Sequence, residues 1–148
     1  YYSKHLHILL AFPNTYFANL NSKGRLSNLK SVTNEVKMMM DPSIDPFSAP
    51  ASDEVSKFGA SDVFDLSWIQ LLNAYTCTEC GRCTSECPAN QTGKKLSPRK
   101  IMMDTRDRLE EVSRNLDKNN GEFKPDGKQL LDDYISNEEL WACTSCNA

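Results

Sequence analysis

Two stretches of the chain carry apolar residues at helical spacing and then run directly into cysteines. In SDVFDLSWIQLLNAY, Val63, Leu66, Ile69 and Leu72 recur at every third position, with Phe64, Trp68 and Leu71 beside them, and this period predicts a helix over 63–75. Ser61 or Asp62 stands where its N-cap belongs. In SNEELWACTSC, Ser136 and Glu139 have the spacing of a capping box and predict a short helix over 137–142. Between the two lies GKKLSPRKIMMDTRDRLEEVSRNL, with Ser97 as N-cap, Pro98 as first helical residue and an amphipathic run that predicts a helix over 98–116. DKNNGEFKPDGK holds two turn signals, Asn120-Gly121 and Asp126-Gly127, and reads as a loop or small hairpin, and LLDDYI is a short apolar element. No stretch alternates with a period of two, so the fold class is mainly α.

The first 62 residues read differently. Residues 1–18 are apolar and aromatic, and the run HLHILLAF at 5–12 is far short of the roughly 20 residues a membrane helix needs. It reads as the last turns of a helix begun upstream, ending near Phe12 because Pro13 cannot sit in a helix interior. Lys4, Lys23 and Arg25 bracket that end, a placement that fits the cytoplasmic side of a membrane. In 19–62, NSKGR is a turn, SVTNEVKMMM at 31–40 predicts a short helix packing its methionines on a neighbour, and DPSIDPFSAPASD reads as a semi-rigid linker.

Composition narrows the chemistry. A chain of 148 residues supports one domain and one core, and a net charge of −3 gives no reason to expect nucleic acid. No signal-peptide layout is visible. The sequence shows no Gly-rich phosphate loop, no paired carboxylate site and no nucleophile–base pair; Glu110 and Glu111 read as a solvated helix face. What is unusual is six cysteines against two histidines.

Four of those cysteines fall in CTECGRCTSECPAN, spaced Cys77-x2-Cys80-x2-Cys83-x3-Cys87-Pro88. Thiolate is a soft ligand for iron, and a cubane offers four irons that each need one external ligand. Three cysteines at x2 spacing reach three corners of one cube, and the cysteine that follows at x3 with its proline ligates a second cluster. Gly81 lets the loop wrap closely, and Pro88 fixes the chain direction as Cys87 leaves. Cys77, Cys80 and Cys83 are thus expected on one 4Fe–4S cluster, and Cys87, Cys143 and Cys146 on the other. Eight ligands are needed and six are present, and CTSCNA stops one residue before a third cysteine at x2 spacing would fall, so both ends read as cut from a longer protein. A zinc site built from Cys77, Cys80, Cys143 and Cys146 is the alternative, as part of a zinc-stabilised interaction domain; it leaves Cys83 and Cys87 unexplained. Disulfides need an oxidising compartment that nothing signals.

From Phe64 to Ala148 the chain resembles the two-cluster α-helical ferredoxin modules of heterodisulfide-reductase-type iron–sulfur oxidoreductases, through LLNAYTCTECGRCTSECPA, GKKLSPRKIMMDTR and ELWACTSCNA. The module is also similar to the C-terminal half of succinate dehydrogenase iron–sulfur subunits. YYSKHLHILLAFPNTYF resembles the end of the last membrane helix in the diheme cytochrome b (gamma) subunit of respiratory nitrate reductase, where His7 takes the heme-ligating position and His5 is the near miss. Together these resemblances imply the end of a membrane cytochrome b helix over 1–18, a linker over 19–62 and an α-helical ferredoxin domain over 63–148. They imply two 4Fe–4S clusters with heme b as a further cofactor, and an electron-transfer part of an oxidoreductase complex. The implied partners are the quinone pool and a soluble heterodisulfide-reductase-like subunit. The implied place is the inner membrane, with the iron–sulfur domain on the cytoplasmic side. A self-contained oxidoreductase whose substrate site lies elsewhere stays open.

Overall fold

The computed structural model describes residues 5–21, 28, 30–40 and 59–146. These fall into two compact units, one within 21–59 and one formed by segments of 1–20 and 60–148. The Pro-rich linker at 41–53, and Lys4, Lys23 and Arg25, lie outside the described residues.

In the larger unit the chain starts with helix α1 (Leu6–Tyr16), which runs through Pro13 instead of ending near Phe12. An interior proline removes one helix hydrogen bond and costs about 3 kcal/mol in isolation. Contacts around the last turn offset that cost. Phe17 N–H donates to Pro13 O at 3.0 Å and Thr15 Oγ1 to Ala11 O at 2.8 Å. Asn14 Nδ2 donates to Thr76 Oγ1 at 2.9 Å, and the Phe17 ring meets the Trp68 ring edge-on at 4.9 Å. Leu6, His7, Leu10, Pro13 and Asn14 are half-buried, while Ile8, Leu9, Phe12 and Tyr16 are exposed. No helix among the described residues is long and apolar enough to cross a membrane.

The smaller unit contains helix α2 (Lys30–Met40), as the sequence predicts. Met38 is half-buried, but Met39 and Met40 are 84% and 80% exposed, so those two are surface residues and not gap fillers.

Back in the larger unit, the helix expected over 63–75 is two elements. Val63–Asp65 form a 3-10 turn capped by Asp62, whose own amide and that of Ser61 donate to Asp65 Oδ2 at 3.0 and 2.8 Å. Leu66 and Ser67 are extended, and α3 (Trp68–Thr76) starts afresh. Ser67 and Gln70 form its capping box, Ser67 N–H donating to Gln70 Oε1 at 2.7 Å. Local side-chain acceptors have won over the helical period here. Two short helices follow, α4 (Arg82–Ser85) and α5 (Pro88–Gln91). The longest, α6 (Pro98–Lys118), starts at the expected Ser97 cap and Pro98. The expected loop follows, then α7 (Leu130–Asp133), kinked at Leu131 and Asp132, and α8 (Asn137–Trp141) with the expected Ser136–Glu139 capping box. No strand occurs among the described residues, only an isolated bridge between Leu131 and Ile135. The chain is mainly α.

Helix α6 is the spine. Val112 joins Val63, Leu130 and Ile135 in the main apolar cluster, with Leu66, Leu71, Ile101, Leu109 and Leu116 packed around it. Beside them Arg108 is fully buried. Its guanidinium donates to Asp62 at 3.1 and 2.9 Å, to Asp126 at 2.5 and 3.2 Å, and to Lys128 O at 2.7 Å. A buried charge is tolerated only when paired and hydrogen-bonded in this way. Arg108 therefore fastens the approach to α3 and the approach to α7 onto the same turn of α6.

Candidate metal centre

The first thiol turn begins where α3 stops. Cys77 is the C-cap of α3, its N–H donating to Ala74 O at 3.3 Å. The backbone then turns left-handed twice, at Glu79 (φ 57°) and at Gly81 (φ 80°), and Gly81 starts α4, which carries Cys83. Glycine suits the second of these positions because it has no Cβ to clash there. The nearby Arg82 amide, and after it the Thr78 hydroxyl, favour the thiolate and lower the Cys80 pKa. α6 closes on this region. Thr84 Oγ1 meets Ser97 Oγ at 3.1 Å and accepts from the Arg99 N–H at 3.2 Å, while Arg106 Nη2 donates to Glu79 Oε1 at 2.6 Å.

Cys87 faces inward. It is the N-cap residue of α5 with Pro88 in the first turn, and its C=O accepts from Gln91 N–H at 2.9 Å. Cys87 is buried in a second apolar cluster with Ala89 and Leu96, and Ile101 and Ala142 pack on that cluster. Ala142 is the residue immediately before Cys143. The fourth cysteine of the first motif thus lies in the apolar cluster that receives the start of the second.

The second turn repeats the first. Helix α8 ends, Cys143 N–H donates to Leu140 O at 3.1 Å, and the third residue of CTSC, Ser145, is left-handed at φ 50°. Ser145 N–H approaches the Cys143 sulfur at 3.5 Å. α6 reaches this arm too: Lys100 Nζ lies 3.1 Å from Glu139 and 3.0 Å from Tyr134 O, and Lys95 lies 2.5 Å from Glu138. Hydrogen bonds from Ser136, then the Lys100 ammonium, hold the Glu139 carboxyl below its ordinary pKa.

All six cysteines are thiols: Cys80, Cys83, Cys143 and Cys146 are exposed, Cys77 half-buried and Cys87 buried. Among the described residues, no three Cys, His, Asp or Glu side chains converge on one metal-sized point. His5 and His7 stand at the start of α1 and are not gathered with the cysteines. The donor set nevertheless fits iron–sulfur ligation. It is soft sulfur throughout, and in the second turn the Ser145 amide approaches the Cys143 sulfur, the kind of bond that tunes a cluster's potential. Sequence reasoning found the six thiols. It missed Glu79, Arg106 and Lys100, whose roles depend on how α6 lies between the turns; the repeated CTxC was the available signal.

Residues 76–148 match the family described as the 4Fe-4S dicluster domain. The chain is similar to the probable iron-sulfur-binding oxidoreductase FadF of Bacillus subtilis (strain 168), 30% identical over 172 aligned residues that cover 97% of this chain and 22% of that protein. It is also similar to the EtfAB:quinone oxidoreductase of Syntrophomonas wolfei, 31% identical over 114 residues, 65% of this chain and 16% of that one. A third relative, a probable membrane-anchored ferredoxin of Chromohalobacter salexigens, is 32% identical over 114 residues, again 65% and 16%. The chain thus spans 16–22% of the length of these relatives. No solved structure matches the chain. A 4Fe–4S dicluster domain is present over residues 76–148 of this chain.

Proposed function

We propose that the chain carries electrons between a membrane domain, fed by quinol through heme b, and a soluble heterodisulfide-reductase-like partner. Two 4Fe–4S clusters held here would supply one-electron transfer, at potentials set by charge and by hydrogen bonds to sulfur. Cys77, Cys80 and Cys83 would hold one and Cys87, Cys143 and Cys146 the other. The observation that carries this crossed assignment is the shared apolar cluster of Cys87 and Ala142. It turns Cys87 away from its sequence neighbours, which are exposed or half-buried, and towards the second arm. The amides of Arg82 and Ser145 would support negative charge on the sulfurs of Cys80 and Cys143.

The membrane half of the reading rests on His7 as a heme ligand and on the apolar outer face of α1, where Leu9, Phe12 and Tyr16 are exposed. Relatives named as a quinone oxidoreductase and a membrane-anchored ferredoxin support it. An inner-membrane location with the iron–sulfur domain on the cytoplasmic side belongs to the same proposal. Metal and acid-labile sulfide analysis of the intact protein, purified without oxygen, tests the core of it. Iron and sulfide in equal amounts are expected, with two distinct cluster signals on reduction. Zinc in place of iron would turn the reading into that of a structural interaction domain. Replacing His7→Leu should remove one b-type heme signal from the intact protein while both cluster signals persist; unchanged heme content would sink the membrane half alone.

A further inference from the structure

Glu79 is a non-glycine residue held in the left-handed region, at φ 57°, between two of the cysteines. That conformation is uncommon for a side chain with a Cβ and needs support from its surroundings. The support is visible: the carboxylate meets Arg106 Nη2 at 2.6 Å, across 27 residues of sequence. Arg106 stands on α6 with its side chain 21% exposed, and Glu79 is 41% exposed. The matching position of the second turn is Ser145, at φ 50°, which has no charge to pair. A charged clamp of this kind therefore belongs to the first turn.

We infer that Arg106 is a positioning residue for the first thiol turn: it clamps Glu79 so that Cys77 and Cys80 keep their place, and it neutralises the one carboxylate that lies between them. This rests on the cluster reading above. Reduction of a cluster held at this turn adds one electron, taken from the titrant, and moves no proton onto the pair. A negative charge left alone beside the turn opposes that electron, and a positive charge left alone favours it. Arg106→Gln leaves Glu79 uncompensated and should shift the midpoint of one cluster to more negative potential. Glu79→Gln takes away the nearer of the two anions on Arg106, leaving Asp107 at 3.7 Å, and should shift the same cluster to more positive potential. The double variant removes a neutral pair and should return close to the parent. Arg106→Lys keeps the charge and should stay near the parent. A turn that is merely loosened would move both single variants in the same direction.

The test is a potentiometric titration of the intact protein with dithionite, both cluster signals being followed by electron paramagnetic resonance. Opposite shifts of the single variants are expected, on the order of tenfold in the ratio of reduced to oxidised cluster, or about 59 mV for one electron. The other cluster should not move. Shifts of the same sign, no shift, or a Lys variant displaced as far as the Gln variant would overturn the role of Arg106 while the cluster reading stands. Absence of both signals from the parent protein would overturn the cluster reading and this inference with it.

Discussion

The turn CTEC at 77–80 and the turn CTSC at 143–146 differ by one side chain, Glu79 against Ser145. Each follows a helix opened by a serine capping box, Ser67 with Gln70 and Ser136 with Glu139. Each places its third residue in the left-handed region, at φ 57° and 50°. Each begins on a cysteine whose amide closes the preceding helix, Cys77 N–H on Ala74 O at 3.3 Å and Cys143 N–H on Leu140 O at 3.1 Å. The backbone shape is thus shared, and the anchoring is not. The first turn is clamped at its own apex by Arg106 and continues through Gly81 into α4. The second is held upstream, where Lys95 and Lys100 grip α8 through Glu138 and Glu139. Turn geometry is written locally, in four residues, whereas the attachment of each turn is written on α6.

The largest disturbance removes what the two arms have in common. Arg108→Leu strips the buried guanidinium and leaves Asp62, before the first arm, and Asp126, before the second, facing each other without it. Breaking a buried ion pair in this way costs about 3–5 kcal/mol. Urea denaturation followed by circular dichroism should show a loss of that size, with both arms failing together. A change below about 1 kcal/mol would mean that the arms are anchored independently of Arg108.

Next in size is a break confined to one arm. On the proposed crossed assignment, Cys87→Ser should remove about half of the bound iron, and the cluster lost should be the one assigned to Cys143 and Cys146. Magnetic resonance of the variant compared with Cys80→Ser checks this. If both substitutions abolish the same signal, Cys87 ligates with its sequence neighbours and the crossed assignment is wrong.

A smaller effect should distinguish the arms by their anchors. Lys100→Met removes the grip on Glu139 and on Tyr134 O, and Lys100 is 46% exposed, so the loss should be no more than about 1 kcal/mol. Hydrogen exchange of residues 136–146 should quicken while residues 67–83 keep their protection. Equal loosening of both would place Lys100 in the common core instead.

These contrasts track what the sequence revealed. Caps were legible because they are local: Ser97 with Pro98 and Ser136 with Glu139 are found where their spacing places them. The cysteine spacing was legible for the same reason. The break at Leu66 and Ser67 was not, because Val63 and Leu66 both reach the core and so mimic one helical stripe. The box at Ser67 and Gln70 was the competing signal. The course of α1 through Pro13 was illegible because its support, Asn14 on Thr76 and Phe17 on Trp68, comes from about 50–60 residues away in sequence. Arg108 looked like one more polar residue of an amphipathic helix, since nothing local shows that Asp62 and Asp126 converge on it.

The two capping boxes give the finest comparison. The box of α3 uses Gln70, which carries no charge at any pH, while the box of α8 uses Glu139. The Ser136 amide and hydroxyl, and then Lys100, favour the ionised form of Glu139 and hold its carboxyl below the ordinary 4.5. A carboxyl depressed in the folded state adds stability that is full above its unfolded value, and that stability is lost as pH falls through the folded value. The box of the second arm should therefore loosen below about pH 4.5 while the box of the first does not, by roughly the 1 kcal/mol a cap contributes. Hydrogen exchange of the amides at Ser136 and Glu139, taken as a ratio to those at Ser67 and Gln70, cancels the intrinsic pH dependence of exchange. The ratio should be flat from pH 7 to about 5 and rise below that. Glu139→Gln should flatten it throughout, because both boxes then use a neutral acceptor. A ratio that still rises in this variant would assign the acid response to another group, and the difference between the arms would lie outside their caps.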